Sequence, residues 1–525
     1  MDLNKIKLLI NTVKYLKPIQ VKYRIFYFFR NRFFKKKYVK KLRIEVNPLV
    51  WENTISRNYS FLGKQKFEFL NIPHQFENEI DWNCNIYGKL WTYNLNYFDF
   101  LNQENIQKEE GVLLINNYIE NANLSKDGLE PYPTSLRCIN WIKFLSENKI
   151  NDYEINQYIY NQYHNLLHNL EYHLLANHLL ENGFSLLFGA YFFQDKNLLQ
   201  KSKEIISKEL KDQILDDGGH FELSPMYHQI ILFGVLDCIK LMKLNDWKDD
   251  NLLKLLKYTA SKMMSWLKEV TFDNGNIPMV NDSSFDISCS TKELLNYGEE
   301  LDLSKTKIQL SDSGYRMIKN KNFELFIDIG QVGASYQPGH VHSDTFNFIL
   351  NINNQPIIVD TGTSTYEKNQ LRQKERSTSS HNTVQVGDFE QTEVWGGFRV
   401  AKRAKIVFLN ESDGIEATHD GYKNKGILHT RNFSYDKRQI IINDKISKST
   451  NNNSTAYFHL HDSITKPIID GSKVKLSDNQ IVLDFSGQTN IKIETYNLAK
   501  GFNITKKAYK ILIKFDQNLQ TNIYL

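Results

Sequence analysis

The sequence predicts an α+β protein in which a helical N-terminal half is followed by an antiparallel β half. From about residue 75 to 300, apolar residues recur at intervals of three and four, as in SLRCINWIKFLSE, which is typical of amphipathic helices. Further along the chain the pattern alternates with a period of two, as in FNFILNINNQPIIVD and RQIIINDKI, which indicates strands. Helices followed by strands fit two packed domains, with a boundary at about 300–312.

Six or more successive helices with short links predict stacked antiparallel hairpins, arranged as a bundle, a solenoid or a toroid. No fixed repeat period is visible, which disfavours a consensus-repeat solenoid. One helix is expected to carry four histidines, His164, His168, His173 and His178. In the β half, many short strands separated by Asn, Asp and Gly indicate a large antiparallel sheet or sandwich.

Composition and charge narrow the function classes. The four cysteines are scattered without a CxxC pair, which predicts buried thiols rather than a disulfide framework or a zinc knuckle. Residues 1–43 hold 14 Lys and Arg against Asp2 alone, mixed with aromatic residues. This segment is expected to be a helical lead-in with a solvated charged face, or a peripheral contact with anionic lipid headgroups. No apolar run reaches the ~18 residues of a membrane span, and no signal peptide is visible.

Several common activities lack their signatures. The chain has no GxxxxGK[ST] loop, no GxGxxG after a strand and no GxSxG elbow. The sequence therefore gives no support for a nucleotide-binding phosphate loop, a dinucleotide-binding fold or a hydrolase with a nucleophile elbow. No base-reading module accompanies the basic N-terminus, so nucleic acid is not an expected partner.

The stretch 338–384 combines strand-like alternation with a cluster of chemically active side chains. Two imidazoles and a carboxylate can form a three-ligand site for a borderline-soft divalent metal. The guanidinium groups nearby are candidate contacts for an acidic glycan. The histidines and aspartates are His340, His342, Asp344, Asp360 and His381, and the arginines are Arg372 and Arg376.

The helical half supplies possible partners for this stretch. Asn177 offers amide donors beside His178, which exchanges protons near neutral pH, and Glu181 follows one turn later. Ser224 and Pro225 predict a helix start that places Tyr227 in the first turn. There the helix dipole is expected to lower the tyrosine pKa. The alternative for each of these residues is an ordinary structural role in packing rather than a role in catalysis.

A third candidate segment is DGLEPYPTSLRCINWIKF. Arg137 is a potential carboxylate clamp, Asn140 a hydrogen-bonding partner and Trp141 a stacking platform for a sugar ring. The alternative is that this segment lines the hydrophobic core.

The order of several motifs resembles that of the heparinase II/III-like polysaccharide lyases. These motifs are NHLLENG, DGGHFELSPMYH, GHVHSDTFNF with VDTGTSTY, and RSTSSHNTVQV with QTEVWGGFRV. The resemblance implies an (α/α) toroid joined to an antiparallel β-sandwich. It implies a basic segment at 1–45, a toroid domain at 46–305 and a sandwich domain at 306–525.

The resemblance also implies β-elimination of a uronic-acid-containing polysaccharide. On the matching positions, Asn177 would hydrogen-bond and neutralise the uronate carboxylate, with His178 beside it. Tyr227 would be the proton-transfer residue that returns a proton to the leaving O4, and His340 would be the second acid/base or a charge stabiliser. Glu181 matches a glutamate that matters for catalysis in some members. His342, Asp360 and His381 match the family's structural metal site, usually zinc, with calcium as the alternative.

Three matters stay open at this stage. A glycoside hydrolase using paired carboxylates, with Glu181 and Glu222 as candidates, is one alternative. A non-catalytic glycan-binding or surface-polysaccharide assembly protein is another. The resemblance favours the periplasm or cell envelope, the absence of a visible signal peptide allows a cytoplasmic or membrane-peripheral place, and the oligomeric state is undetermined.

Overall fold

The computed structural model describes residues 3–34, 38–247, 249–451, 453–476 and 481–525. Two N-terminal helices and a short antiparallel hairpin precede the main helical array. These are α1 (Leu3–Val13), α2 (Pro18–Phe33), β1 (Lys66–Phe69) and β2 (Ile72–Gln75). Residues 35–37 of the basic segment lie outside the described residues.

The helical half continues with further helices, in the region where apolar residues recur at intervals of three and four. They are α3 (Lys89–Tyr97), α4 (Lys108–Asn121), α5 (Pro131–Glu147), α6 (Tyr153–His168), α7 (Ala176–Phe193), α8 (Lys196–Gln213), α9 (Pro225–Leu244), α10 (Asp250–Val270) and α11 (Thr291–Glu300). Helices α5 to α8 pack in succession, as do α9 to α11, and α7 also contacts α5 and α9. Every residue of α7 except His178 is buried. An apolar helix enclosed on all sides is a core element, so α7 lies at the centre of the helical half.

The prediction that one helix carries four histidines is wrong. Helix α6 ends at His168 and α7 begins at Ala176, with His173 in the link. Leu175 and Ala176 have φ of 61° and 55°, a left-handed backbone that a non-glycine residue adopts only when its surroundings impose it. The break places His178 in the first turn of α7 rather than in the middle of a helix.

In its described residues, the β half contains a large and a small antiparallel sheet, a separate two-stranded hairpin and a short α-helix. Its elements are β3 (Tyr315–Lys319), β4 (Phe323–Asp328), β5 (Phe348–Ile352), β6 (Gln355–Ile358), α12 (Gln370–Glu375), β7 (Val384–Val386), β8 (Val394–Trp395), β9 (Arg399–Val400), β10 (Ile406–Asn410), β11 (Ile415–His419), β12 (His429–Tyr435), β13 (Gln439–Ile446), β14 (Ser454–His459), β15 (Ile468–Asp470), β16 (Lys473–Leu476), β17 (Ile481–Gly501) and β18 (Ile504–Tyr524).

The smaller sheet has the order β3-β4-β5-β6, and the larger sheet has the order β10-β11-β12-β13-β18-β17-β16-β15. In addition, β14 pairs with β18 and with β7, while β8 and β9 form a separate hairpin. Phe348 of the small sheet contacts Phe433 and Phe458 of the large sheet, with ring centroids 5.9 and 6.0 Å apart. These contacts form the core between two stacked sheets, as expected for a sandwich.

The two halves share a buried interface. Trp266 of α10 lies against Tyr315 of β3, with 6.1 Å between ring centroids, and its indole N–H donates to Ser313 Oγ at 3.2 Å. The tip of the β17–β18 hairpin reaches back to the β1–β2 turn, where Asn71 Nδ2 donates to the Phe502 carbonyl at 2.9 Å. The halves are therefore joined at widely separated points of the chain.

The N-terminal helices also bridge the two halves. The buried Gln20 side chain donates to the carbonyl of Leu174 in the helical half and to that of Tyr336 in the β half, at 3.0 and 3.5 Å. Thr12 accepts a hydrogen bond from the Trp395 indole at 3.1 Å. No helix among the described residues is both long and apolar enough to cross a membrane.

Candidate active site

The predicted site residues meet where the helical half faces the β half, with the Tyr227 ring 3.9 Å from the His340 ring, and this meeting place is called the cleft below. One wall of the cleft is formed by the start of α9. Ser224 accepts a hydrogen bond from the Tyr227 backbone N–H at 3.3 Å, and Pro225 is the first helical residue. This confirms the predicted helix start. The Ser224 hydroxyl also donates to the Asp282 carbonyl at 3.0 Å. Tyr227 is therefore held in the first turn, next to the segment that leads into the β half.

The start of α7 forms the adjacent wall. The backbone N–H and side-chain amide of Asn177 donate to the Glu222 carboxylate, at 3.5 and 3.3 Å. His178 Nδ1 lies 3.0 Å from Glu171 Oε1. Burial alone disfavours the imidazolium, but the charge and hydrogen bond of Glu171 outweigh it and raise the pKa of His178. The two residues thus present an amide and a readily protonated imidazole side by side.

Asp282 is the central residue that the sequence analysis did not identify. Its buried carboxylate lies 2.8 Å from His340 Nδ1 and 2.9 Å from His342 Nε2. Both terminal nitrogens of Arg372 also donate to it, Nη2 at 2.6 Å. Burial opposes its charge, but Arg372 and the two histidines hold the pKa of Asp282 well below its usual range. The ionised carboxylate fixes three residues of the stretch 338–384 at once.

Asp282 also determines which nitrogen of His340 faces the cleft. Because Nδ1 is bonded to the carboxylate, Nε2 is the free ring nitrogen, and it lies 3.6 Å from Glu222 Oε2. Glu222 therefore contacts both Asn177 and His340. Burial raises the pKa of the Glu222 carboxyl group, and this effect outweighs the lowering by His340 and by the hydrogen bond from the Asn177 N–H.

Two tyrosines complete the cluster. The Tyr227 ring lies 3.9 Å from the His340 ring, and its hydroxyl is 3.3 Å from the hydroxyl of Tyr366. Tyr366 was not predicted as a site residue, although it ends the motif VDTGTSTY. The expected lowering of the Tyr227 pKa is wrong, because burial raises that pKa more than the Tyr366 hydrogen bond lowers it. Tyr227 is a protonated donor at neutral pH.

Glu181 lies within α7, one turn beyond His178, and is buried. Burial raises its pKa to about 7, although Lys143 and Arg57 lower it. Its role in the chemistry stays a prediction.

The three residues of α5 that were predicted to contact a sugar are buried. Arg137 is fully buried and donates to the carbonyls of Gly128 and Asn96 at 2.8 and 3.3 Å. The Asn140 amide donates to the Tyr97 carbonyl, and Trp141 packs within the core. Because their polar groups and rings are enclosed by protein, these three residues do not form a glycan-binding surface.

The two arginines of the β half are also enclosed. Arg376 donates to the carbonyls of Val341 and Gly397, and Arg372 pairs with Asp282. Both side chains are fully buried. The prediction that either arginine contacts an acidic glycan directly is therefore wrong. Each side chain instead holds the loops around His340 in place.

The predicted metal ligands lie together behind His340. His381 Nδ1 is 2.7 Å from Asp360 Oδ2, and the rings of His342 and His381 are 5.3 Å apart. Three buried atoms here have no hydrogen-bond partner within the described part of the chain: His342 Nδ1, His381 Nε2 and Asp344 Oδ2. Two orphaned imidazole nitrogens and nearby carboxylates are the donor set that zinc prefers. Nevertheless, no three such residues among those described surround a common metal position.

Comparison with known proteins decides the family. Residues 303–524 match the family described as heparinase II/III-like, C-terminal, and residues 134–303 match heparinase II/III N-terminus. The chain belongs to the heparinase II/III-like family. A heparin-sulfate lyase of Bacteroides stercoris is 23% identical over 354 residues, which cover 61% of this chain and 49% of that protein. This chain thus spans about half the length of that curated relative.

Solved structures of this family confirm the predicted fold. A heparinase III crystal structure superposes with a TM-score of 0.67 at 15% identity, over 97% of this chain and 92% of that one. The heparan sulfate lyase HepC of Pedobacter heparinus gives a TM-score of 0.56 at 17% identity, over 88% and 81%. This member of the heparinase II/III-like family therefore combines an (α/α) toroid with an antiparallel β-sandwich.

The pairing of His178 with Glu171 predicts a pH-dependent charge in the cleft. Because Glu171 raises the pKa of His178 and burial lowers it, Glu171→Gln should move that pKa below the ~6.5 of an unperturbed histidine. NMR titration of histidine-labelled protein measures this shift, with the signal assigned by its loss in His178→Asn. Glu154→Gln, on the surface of α6, is the control. An unchanged His178 pKa in Glu171→Gln would contradict the assignment.

Proposed function

We propose that this protein is a polysaccharide lyase that cleaves a uronic-acid-containing polysaccharide by β-elimination. The observation that supports this most strongly is the convergence of His340, Tyr227 and Asn177 from the two halves on one cleft. A uronate C5 proton is only weakly acidic, so its removal requires a neutralised carboxylate, a base and an acid at O4. The cleft offers a group for each task.

In this proposal Asn177 and His178 bind the uronate carboxylate. The Asn177 amide uses one N–H for Glu222 and has a second to donate. His178, whose pKa is raised, contributes positive charge. Together they stabilise the negative charge that develops when the C5 proton leaves.

The geometry favours His340 as the base and Tyr227 as the acid. His340 Nδ1 is held by Asp282, so the free Nε2 takes the C5 proton. A C4–C5 double bond forms as the C4–O4 bond breaks, and the electron pair goes to O4. Tyr227 is protonated at neutral pH and gives its hydroxyl proton to O4. Proton return from His340 to the tyrosinate resets the site, with Tyr366 orienting the Tyr227 hydroxyl.

Relatives suggest the substrate class. One is named as a heparin-sulfate lyase and another as a heparan sulfate lyase. We propose a glycosaminoglycan-like acidic polysaccharide as the first substrate to test, followed by other uronate polysaccharides.

Tyr227→Phe and His340→Ala should each reduce kcat by about 10²- to 10⁴-fold, because each removes a positioned proton-transfer group. The assay is the ultraviolet absorbance of the unsaturated uronate product on a panel of uronate polysaccharides. Tyr153→Phe, at an exposed tyrosine of α6, should retain activity.

The same assay separates the alternatives. New reducing ends without ultraviolet absorbance would indicate a hydrolase, with Glu181 and Glu222 as its candidate carboxylates. Binding of polysaccharide without either product would indicate a glycan-binding or assembly protein.

We also propose a structural metal, zinc or alternatively calcium, held by His342, Asp360 and His381. The orphaned ring nitrogens of the two histidines support it. Such an ion would fix the loop behind His340 through charge and coordination. The base itself remains His340, which is bonded to Asp282 rather than to this set.

Metal analysis of the purified protein should find about one equivalent of zinc or calcium, which is lost in His381→Ala because an imidazole ligand is removed. His461→Ala, at a histidine outside this set, should keep the ion. Protein that is purified without chelators and contains no bound metal would contradict the site.

A peripheral membrane contact through α2 is the remaining proposal. Four residues at successive four-residue spacings face away from the protein and are 37 to 63% exposed: Val21, Ile25, Phe29 and Phe33. Apolar rows flanked by basic residues bind anionic lipid surfaces. Vesicles rich in phosphatidylglycerol should bind the protein, and Ile25→Asp with Phe29→Asp should abolish binding. The proposal would be contradicted if the protein bound phosphatidylcholine vesicles as well as phosphatidylglycerol vesicles. It would also be contradicted if the double variant bound phosphatidylglycerol vesicles as well as the unaltered protein does.

A further inference from the structure

Glu222 adjoins both walls of the cleft, and the proposed elimination leaves it without a role. Its side chain is 1% exposed and lies in the turn that precedes the Ser224 cap of α9. Oε1 accepts the backbone N–H of Asn177 at 3.5 Å, and Oε2 accepts its side-chain amide at 3.3 Å. The same Oε2 lies 3.6 Å from His340 Nε2. One buried carboxylate is therefore next to both the proposed carboxylate-binding residue and the proposed base.

The Glu222 carboxylate is not part of a structural salt bridge. Within the described part of the chain, no Lys or Arg lies within ion-pair distance of it, and His340 is its one possible ionic partner. The buried carboxylate of Asp237, by contrast, is paired with Lys143. A buried carboxyl group without a cation beside it is costly for the fold. Glu222 therefore does not stabilise the protein through its charge, and its contacts point to a role in the site.

Strained backbone on both sides brings Glu222 and Asn177 together. Leu223, which follows Glu222, has a φ of 55°, and Ala176, which precedes Asn177, has the same φ. A non-glycine residue adopts this left-handed backbone only where its surroundings impose it. The Leu223 carbonyl accepts a hydrogen bond from Asn281 Nδ2 at 2.9 Å, which holds the turn in place. Tertiary structure therefore specifies the contact between carboxylate and amide at two separate places, as is typical of functional sites.

The carboxylate determines how the Asn177 amide is turned. An amide has a donor end and an acceptor end, whereas an ionised carboxylate only accepts. Because Glu222 Oε2 accepts one N–H of Asn177 Nδ2, the second N–H of that nitrogen remains for a ligand. An amide turned by half a rotation would present its oxygen instead, which repels a uronate carboxylate. Glu222 thus selects the orientation in which Asn177 donates.

The same carboxylate oxygen is placed to accept another hydrogen bond during the reaction. At 3.6 Å, Glu222 Oε2 and His340 Nε2 are too far apart for a hydrogen bond, so the Nε2 lone pair is free to take a proton. Once Nε2 carries the C5 proton it becomes a donor, and Oε2 is the carboxylate oxygen beside it. A small approach of the two atoms then forms a charge-assisted hydrogen bond. Stabilisation that arises only as the proton moves affects kcat.

We infer that Glu222 is a positioning residue of the β-elimination, which orients the Asn177 amide toward the uronate carboxylate and stabilises His340 after it has taken the C5 proton. The inference rests on the proposed lyase function. Because Glu222 is almost fully enclosed, it acts through these two neighbours rather than by contact with the sugar. This role differs from the hydrolase alternative, in which the Glu222 carboxyl group itself would act at the glycosidic bond.

Glu222→Gln tests this role, because glutamine keeps the size of the side chain but has one acceptor oxygen instead of two. The variant should lower kcat by about 10- to 10²-fold, the scale of a misplaced catalytic group, and should change KM by less than about threefold. Both constants are measured by ultraviolet absorbance on the polysaccharide of the uronate panel that the unaltered protein cleaves fastest. Glu209→Gln is the matched control, because Glu209 is also a buried glutamate and is bonded to Gln213 within α8. Its kcat should be unchanged.

Double-mutant cycles separate a positioning role from a general effect on folding. Glu222→Gln is added to Asn177→Ala and, separately, to His340→Ala, with kcat measured at raised enzyme concentration. In a background that lacks a residue through which Glu222 acts, the added loss should be less than about threefold, because the group to be positioned is absent. The same factor of loss in both backgrounds as in the unaltered protein overturns the inference, and this is also the result expected from simple destabilisation.

The outcomes distinguish this inference from the lyase proposal. An unchanged kcat in Glu222→Gln overturns the positioning role, while the unsaturated product of the unaltered protein leaves the lyase proposal intact. Absence of that product from every uronate polysaccharide in the panel overturns the lyase proposal and this inference with it.

Discussion

The ionised carboxylate of Asp282 is the interaction on which the site depends. It accepts hydrogen bonds from His340, His342 and Arg372, and these three residues come from one loop and one helix of the β half. Asp282 itself follows the long helix α10 and is bound through its carbonyl to Ser224. A single buried charge thus links the cap of α9 to the histidine that faces it. Such a charge is tolerated in the interior only because it is fully paired.

The local features of the fold could be predicted from sequence because their causes are local. Ser224 and Pro225 specify a helix start with neighbouring atoms alone. The alternation in β5 and β13 reflects burial of one strand face, which a period of two records directly. By contrast, nothing in the sequence between His168 and Ala176 interrupts the helical pattern. The break there is imposed by tertiary contacts, such as the hydrogen bond from the Glu171 N–H to the Asn182 side chain.

The site was predicted less completely, because residue type does not reveal burial. Arg137 and Trp141 have the chemistry of sugar-binding residues, yet α5 is enclosed on nearly all sides. Asp282 was missed because the three side chains bonded to its carboxylate lie 58, 60 and 90 residues further along the chain. Asn177, His178, Tyr227 and His340 could be predicted as site residues only because their motifs resemble those of a known family. The structure brings these four residues to one cleft.

The hairpin of β17 and β18 affects the order in which the protein folds during its synthesis. Its tip binds the β1–β2 turn through Asn71 and Phe502, residues 431 positions apart, and the Phe502 ring contacts Tyr366 with 4.9 Å between centroids. Contacts of such sequence separation form slowly, because a long loop must close before they contribute. During synthesis the helical half emerges first and must wait for nearly the whole remaining chain before this side of the cleft is complete. The hairpin contacts that complete this side of the cleft are therefore among the last that the chain can form.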